Sequence, residues 1–120
     1  MARILIVEDN DTNLELITYL LEAFGHITLI ARDGQEALQV IQSDLPDLIL
    51  ADVHMPKMDG YELARQLKSN PAHRAIPLVA VTSLAMVGDR DKALAAGFDG
   101  YITKPIDPET LVAQVERFLQ

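Results

Sequence analysis

Residues 48–60 read LILADVHMPKMDG, and the fold turns on why an acid, Asp52, closes an almost wholly apolar run. A carboxylate beside apolar surroundings is unfavourable unless it is paired or its charge is used. The run is one of five with strand character: ILIV at 4–7, ITLIA at 27–31, DLILA at 47–51, PLVAV at 77–81 and the shorter GYIT at 100–103. Each gap between them carries helical periodicity and punctuation. Thr12 with Glu15 and Asp33 with Glu36 read as capping boxes, and Asp107 before Pro108 reads as an N-cap with proline at the first helical position. Gly25 and Gly97 stand where helices end. Leu14, Ile17, Leu21 and Phe24 form a core-facing stripe on the first helix, as Leu111, Val115 and Leu119 do on the last.

Strands that return through helices run parallel, and the continuous apolar character of the first, third and fourth says that both faces of the sheet are covered. Right-handed crossovers then predict an α/β domain of (βα)5 form, a doubly wound five-stranded parallel sheet of flavodoxin-like order 2-1-3-4-5. With 120 residues, 49% of them hydrophobic, the chain is expected to be one domain over 1–120, with a real core and no output domain.

Bulk properties exclude several function classes. There is no cysteine, so neither disulfides nor a thiolate metal site is possible. A net charge of -8 argues against a grip on nucleic acid, which needs clustered Lys and Arg. The opening MARILIVEDN has too short an apolar run for a signal peptide or a membrane span, so a cytoplasmic protein without membrane contact is expected.

In such sheets functional groups gather at the carboxyl ends of the strands. Glu8 and Asp9 follow the first strand, Asp52 ends the third, Thr82 and Ser83 end the fourth, and Lys104 ends the fifth. Three carboxylates against one ammonium leave about two negative charges, each pair at ~4 Å repelling by roughly 4 kcal/mol near a protein surface. A divalent cation offsets that, and hard oxygen ligands in this number suit Mg²⁺, with Mn²⁺ as a substitute. Zinc would want His or Cys there, whereas His26, His54 and His73 are scattered and read as ordinary surface or loop residues. A carboxylate beside a cation and a lysine, with a hydroxyl across the pocket, can attack a phosphoryl group and hold the acyl phosphate formed. Asp52 is the expected nucleophile, Asp9 a direct metal ligand, Glu8 a ligand through water, Lys104 the partner of the phosphoryl oxygens and Thr82 a hydrogen-bond donor to them.

The set EDN at 8–10, DLILADVHMP at 47–56, MDG at 58–60, AVTS at 80–83 and YITKP at 101–105 closely resembles the receiver domain of two-component response regulators. The resemblance spans the chain, and the run LAMVGDRDKALAAGFDGYITKPI is similar to single-domain regulators and to the receivers of hybrid kinases. It implies phosphoryl transfer from a histidine of a sensor kinase or histidine phosphotransfer protein to Asp52, then hydrolysis that resets the domain. It also implies metal contacts from Glu8, Asp9, Asp52 and the His54 backbone carbonyl, a switch through Thr82 and Tyr101, and a cis peptide between Lys104 and Pro105. Output would pass through helix four, strand five and helix five to a downstream target protein, from a monomer or weak dimer. Leu84 and His54 stand where the family tunes hydrolysis. Leu84, Met86 and Val87, ahead of a helix starting near Gly88 and Asp89, are either core plugs or a partner surface.

Three other readings compete. Aspartyl-phosphate phosphatases also use a strand-end aspartate with Mg²⁺, but commonly with a second carboxylate two residues on, where this chain has His54. A domain that binds partners without phosphorylation leaves the filled strand ends unexplained. A nucleotide or flavin domain would want a glycine-rich loop after the first strand, and EDNDTN has no glycine.

Overall fold

A computed structural model describes residues 2–55, 58–82 and 89–119. Ser83, Leu84, Met86, Val87 and Gly88, singled out above, lie outside these residues. The strands are β1 (Arg3–Val7), β2 (Ile27–Ala31), β3 (Leu48–Asp52), β4 (Leu78–Thr82) and β5 (Gly100–Thr103). The helices are α1 (Asp11–Ala23), α2 (Gly34–Ser43), α3 (Gly60–Ser69), α4 (Asp89–Ala96) and α5 (Leu111–Arg117). The strands pair in the order β2-β1-β3-β4-β5, all parallel, as the sequence predicts.

Alternation along the strands divides the core into two layers. Leu5, Ile49 and Leu78 face a cluster completed by Ala37 and Ile41 of α2, Leu63, Ala64 and Leu67 of α3, and Ala93 of α4. Ile4, Leu50 and Val79 face the opposite cluster, completed by Leu14, Ile17 and Leu21 of α1 and Leu111, Val112 and Val115 of α5. One face thus carries three helices and the other two. β3 and β4 are buried at every position, whereas the edge strand β2 is half exposed despite its apolar sequence.

Helix ends show where local signals compete. α1 begins one residue before Thr12, and its cap is Asn10, whose side chain accepts from the Asn13 N–H, so Thr12 with Glu15 is not the capping box. Asp33 does cap α2 through the Glu36 N–H, and Asp59 caps α3 through the Glu62 N–H. Asp107 caps a separate turn through the Glu109 N–H, and α5 starts only at Leu111. Gly25 and Gly97 adopt φ of 87° and 116°. They close Schellman motifs in which the next residue, His26 or Phe98, donates its N–H to Leu21 or Ala93. Phe24 is the cap residue of α1, with ψ of 15° and 64% exposure, so it falls outside the stripe in which Leu14, Ile17 and Leu21 are buried.

Candidate functional site

Glu8 and Asp9 leave the sheet directly after β1, Asp52 is the last residue of β3, Thr82 is the last of β4, and Lys104 follows β5. Because β1, β3 and β4 are neighbours, their ends adjoin, and Glu8, Asp9 and Asp52 offer carboxylate oxygens within 4.8 Å of one another. Glu8 is 1% and Asp52 6% exposed, while Asp9 is open to solvent.

Asp52 is oriented through both oxygens. Oδ1 accepts from the His54 backbone N–H at 3.0 Å, and Oδ2 accepts from Lys104 Nζ at 3.1 Å. Lys104 Nζ also lies 3.0 Å from Glu8 Oε1, an ionic contact that leaves this buried oxygen without an aligned hydrogen-bond donor. Glu8 Oε2 accepts from the Asn10 N–H at 3.3 Å, so the residue that caps α1 also braces the acid. The Lys104 backbone N–H donates to Thr82 O at 2.8 Å, and the Lys104–Pro105 peptide is cis.

Gly60 fixes the floor. Its N–H donates to Val53 O at 3.1 Å, and a Cβ there would lie 2.6 Å from Asp52 O and 2.7 Å from Val53 Cα. Only glycine lets α3 start so close to the strand that carries Asp52.

Burial, then the hydrogen bond with Asp52, pushes the Glu8 carboxyl up to about 7 against the opposing pull of Lys104. For Lys104, burial lowers the pKa, but the two close carboxylates of Glu8 and Asp52 outweigh it and leave the ammonium above its ordinary value. One cation is therefore shared by two buried carboxylates, and below about pH 7 a proton on Glu8 makes up the deficit. The unaligned Glu8 oxygen, the solvent-facing Asp9 and the oxygen-only donor set fit a hard divalent cation.

Thr82 is buried and Tyr101 half-buried. Tyr101 pairs with Ala80 and Thr103 with Thr82, so Thr82 and Tyr101 are diagonal neighbours on one face. That is the face of the three-helix layer, against which Tyr101 packs.

The histidines differ from expectation in one case. The His54 side chain is exposed and His73 sits half-buried in the turn after α3, but His26 is buried. Its Nδ1 accepts from the Ala2 N–H at 3.2 Å and its Nε2 lies 2.9 Å from Glu116 Oε2, tying the start of β1 to α5. Sequence reasoning also missed the bracing by Asn10 and the close approach at Gly60, although the MDG motif contains that glycine.

The model of the response regulator receiver domain family matches residues 4–116. The chain belongs to that family. This receiver is 39% identical to the polar-differentiation response regulator DivK of Brucella anthropi, covering 97% of this chain and 94% of that one. Among solved structures it resembles the signal receiver domain of a signal transduction histidine kinase from Syntrophus aciditrophicus, with TM-score 0.91, 42% identity and coverage of 99% and 90%. It also resembles the receiver domain of a sensor histidine kinase from Pseudomonas aeruginosa, solved with a magnesium ion coordinated in its active site cleft, with TM-score 0.89, 32% identity and coverage of 98% and 97%. The protein is thus a receiver of two-component signalling, a signalling protein in which no described helix is long and apolar enough to cross a membrane.

Proposed function

We propose that the receiver is a phosphorylation-driven switch that takes a phosphoryl group onto Asp52 from a phosphohistidine of a sensor kinase or phosphotransfer protein. The observation that carries this reading is the placement of Asp52, which ends a wholly buried strand with its two oxygens aimed by the His54 N–H and Lys104 Nζ. An Asp52 oxygen forms the bond to phosphorus while the P–N bond of the donor breaks, and the donor imidazole nitrogen keeps the electron pair. Water later cleaves the acyl phosphate, releasing inorganic phosphate and restoring the carboxylate.

Glu8, Asp9, Asp52 and the His54 carbonyl would hold Mg²⁺, or Mn²⁺ in its place, and the bound cation would neutralise charge on the transferring phosphoryl oxygens. Lys104 pairs with those oxygens, and the Thr82 hydroxyl donates a hydrogen bond to them. The new charge draws Thr82 toward the pocket, and Tyr101, its diagonal neighbour, repacks behind it. The surface of α4, β5 and α5 then presents a changed face to a downstream protein in the cytoplasm, from a monomer or weak dimer.

Intact mass after incubation with acetyl phosphate tests the reading. A gain of one phosphoryl group with Mg²⁺, lost with EDTA and absent from Asp52→Asn, is expected. A phosphorylated Asn variant, or neither a mass gain nor beryllofluoride binding under any condition, would overturn it.

A further inference from the structure

We propose that β2 is an edge at which two copies of this chain join, strand to strand and antiparallel, into one continuous sheet. β2 is the outermost strand and pairs with β1 alone. The Ile27 N–H donates to Ala2 O, and Ala31 O accepts from the Glu8 N–H, so the odd-numbered residues turn their polar backbone groups toward β1. Alternation along the strand then turns the N–H and C=O of Thr28 and Ile30 outward. Sheet edges are commonly blunted by a charge, a proline or a bulge. Between 27 and 31 the sequence ITLIA has neither charge nor proline, and its register with β1 is unbroken. Both faces leave the edge partly open. Ile30 is 46% exposed on the α1 side, beside a cavity of about 420 Å³, and Ile27 is 39% exposed on the other.

Self-complementarity selects a second copy. A twofold axis at Leu29 sets Thr28 opposite Ile30 of the second copy, so that their outward groups exchange N–H···O bonds, while Leu29 meets its own counterpart in the close, non-bonded position between them. Charge agrees with that register. Thr28, Ile30 and Arg32 share the α1 side, where Thr28 Oγ1 donates to Glu22 Oε2 at 2.6 Å and the Arg32 side chain, paired with Asp11, stays 51% exposed. The axis brings Glu22, through Thr28, to the diagonal neighbour position of Arg32 of the second copy, and the reverse. Area limits the strength. One five-residue strand flanked by the exposed Tyr19, Ile27 and Ile30 falls short of the ~1,200 Å² of a stable interface, and net charges of -8 repel, so association belongs at about 0.1–1 mM. The pairing uses neither the acid pocket nor α4, β5 and α5, and it does not rest on phosphorylation of Asp52.

Sedimentation velocity and ¹⁵N amide spectra of the unphosphorylated protein, from about 20 μM to about 1 mM, test the pairing. A shift from monomer to dimer is expected, with amide changes concentrated in 27–32 and an isotope-filtered NOE between the Leu29 Hα atoms of differently labelled copies. Thr28→Pro removes an outward N–H and no bond to β1, and Ile30→Lys places a charge at the seam. Each should weaken association about tenfold or more, while amide signals outside β2 stay those of the folded monomer. Glu22→Arg and Arg32→Glu should each weaken it as well, and the two together should restore it. A protein still monomeric at about 1 mM, amide changes centred on α4–β5–α5, or association indifferent to Ile30→Lys would each overturn the proposal.

Discussion

The buried Glu8 makes the stability of the metal-free protein fall as pH rises. Its carboxyl titrates at about 7 in the folded chain and at 4.5 as an ordinary side chain. Between these values the folded state holds a proton that the unfolded state has released, so stability is full below 4.5 and is lost as pH climbs through 7. A gap of about 2.5 units at 1.36 kcal/mol each amounts to about 3 kcal/mol, a large part of the stability of a domain this size. Glu8→Gln keeps the shape and removes the titration, leaving Lys104 to pair with Asp52 alone. Urea unfolding in EDTA at pH 5, 6, 7 and 8 should show the native protein weakening over this window while the Gln variant stays flat, becoming the more stable of the two by about 3 kcal/mol at pH 8. Added Mg²⁺ should restore the native protein at pH 8 far more than at pH 5, since a bound cation replaces the proton. Parallel pH profiles for the two proteins, or a native profile that rises with pH, would refute the reasoning.

Three further outcomes are expected. Lys104→Ala leaves two buried carboxylates without their cation; acetyl phosphate should still load Asp52, while the fluorescence or NMR signature of the α4–β5–α5 face responds less than in the native protein. Gly60→Ala forces a Cβ to 2.6 Å from Asp52 O, so thermal unfolding should register a loss of about 1–3 kcal/mol and the mass assay slower phosphorylation. His26→Leu removes the acceptor of the half-buried Ala2 N–H and the tie to Glu116, and denaturant curves should show a cost of about 1 kcal/mol with the phosphorylation rate unchanged, since His26 lies at the opposite end of β1 from Glu8.

The parts of the fold legible in the sequence are those where one signal acts alone. Asp33 has no rival cap nearby, and it caps α2. The loop EDNDTN offers several candidate caps in a row, and backbone geometry rather than residue type selects Asn10 over Thr12. Asp107 with Pro108 starts a turn as readily as a helix, so α5 begins later than the pair suggests. β2 reads as apolar as β1, yet edge position leaves it half exposed, a property of the whole sheet that no local pattern encodes. In the site, the strand-end acids, Thr82 and Lys104 were legible because topology sends strand ends to one edge. The tie from His26 to Glu116 spans 90 positions and has no sequence signature.

The complete burial of β3 and β4 has a consequence for amide hydrogen exchange. Their amides should open only with global unfolding, while the half-exposed β2 and its neighbour α2 exchange through smaller local openings. Asp52 and Thr82 are the final residues of the two slowest strands. Partial opening of the β2 edge therefore leaves Asp52 and Thr82 assembled, and the lifetime of their arrangement follows that of the whole domain.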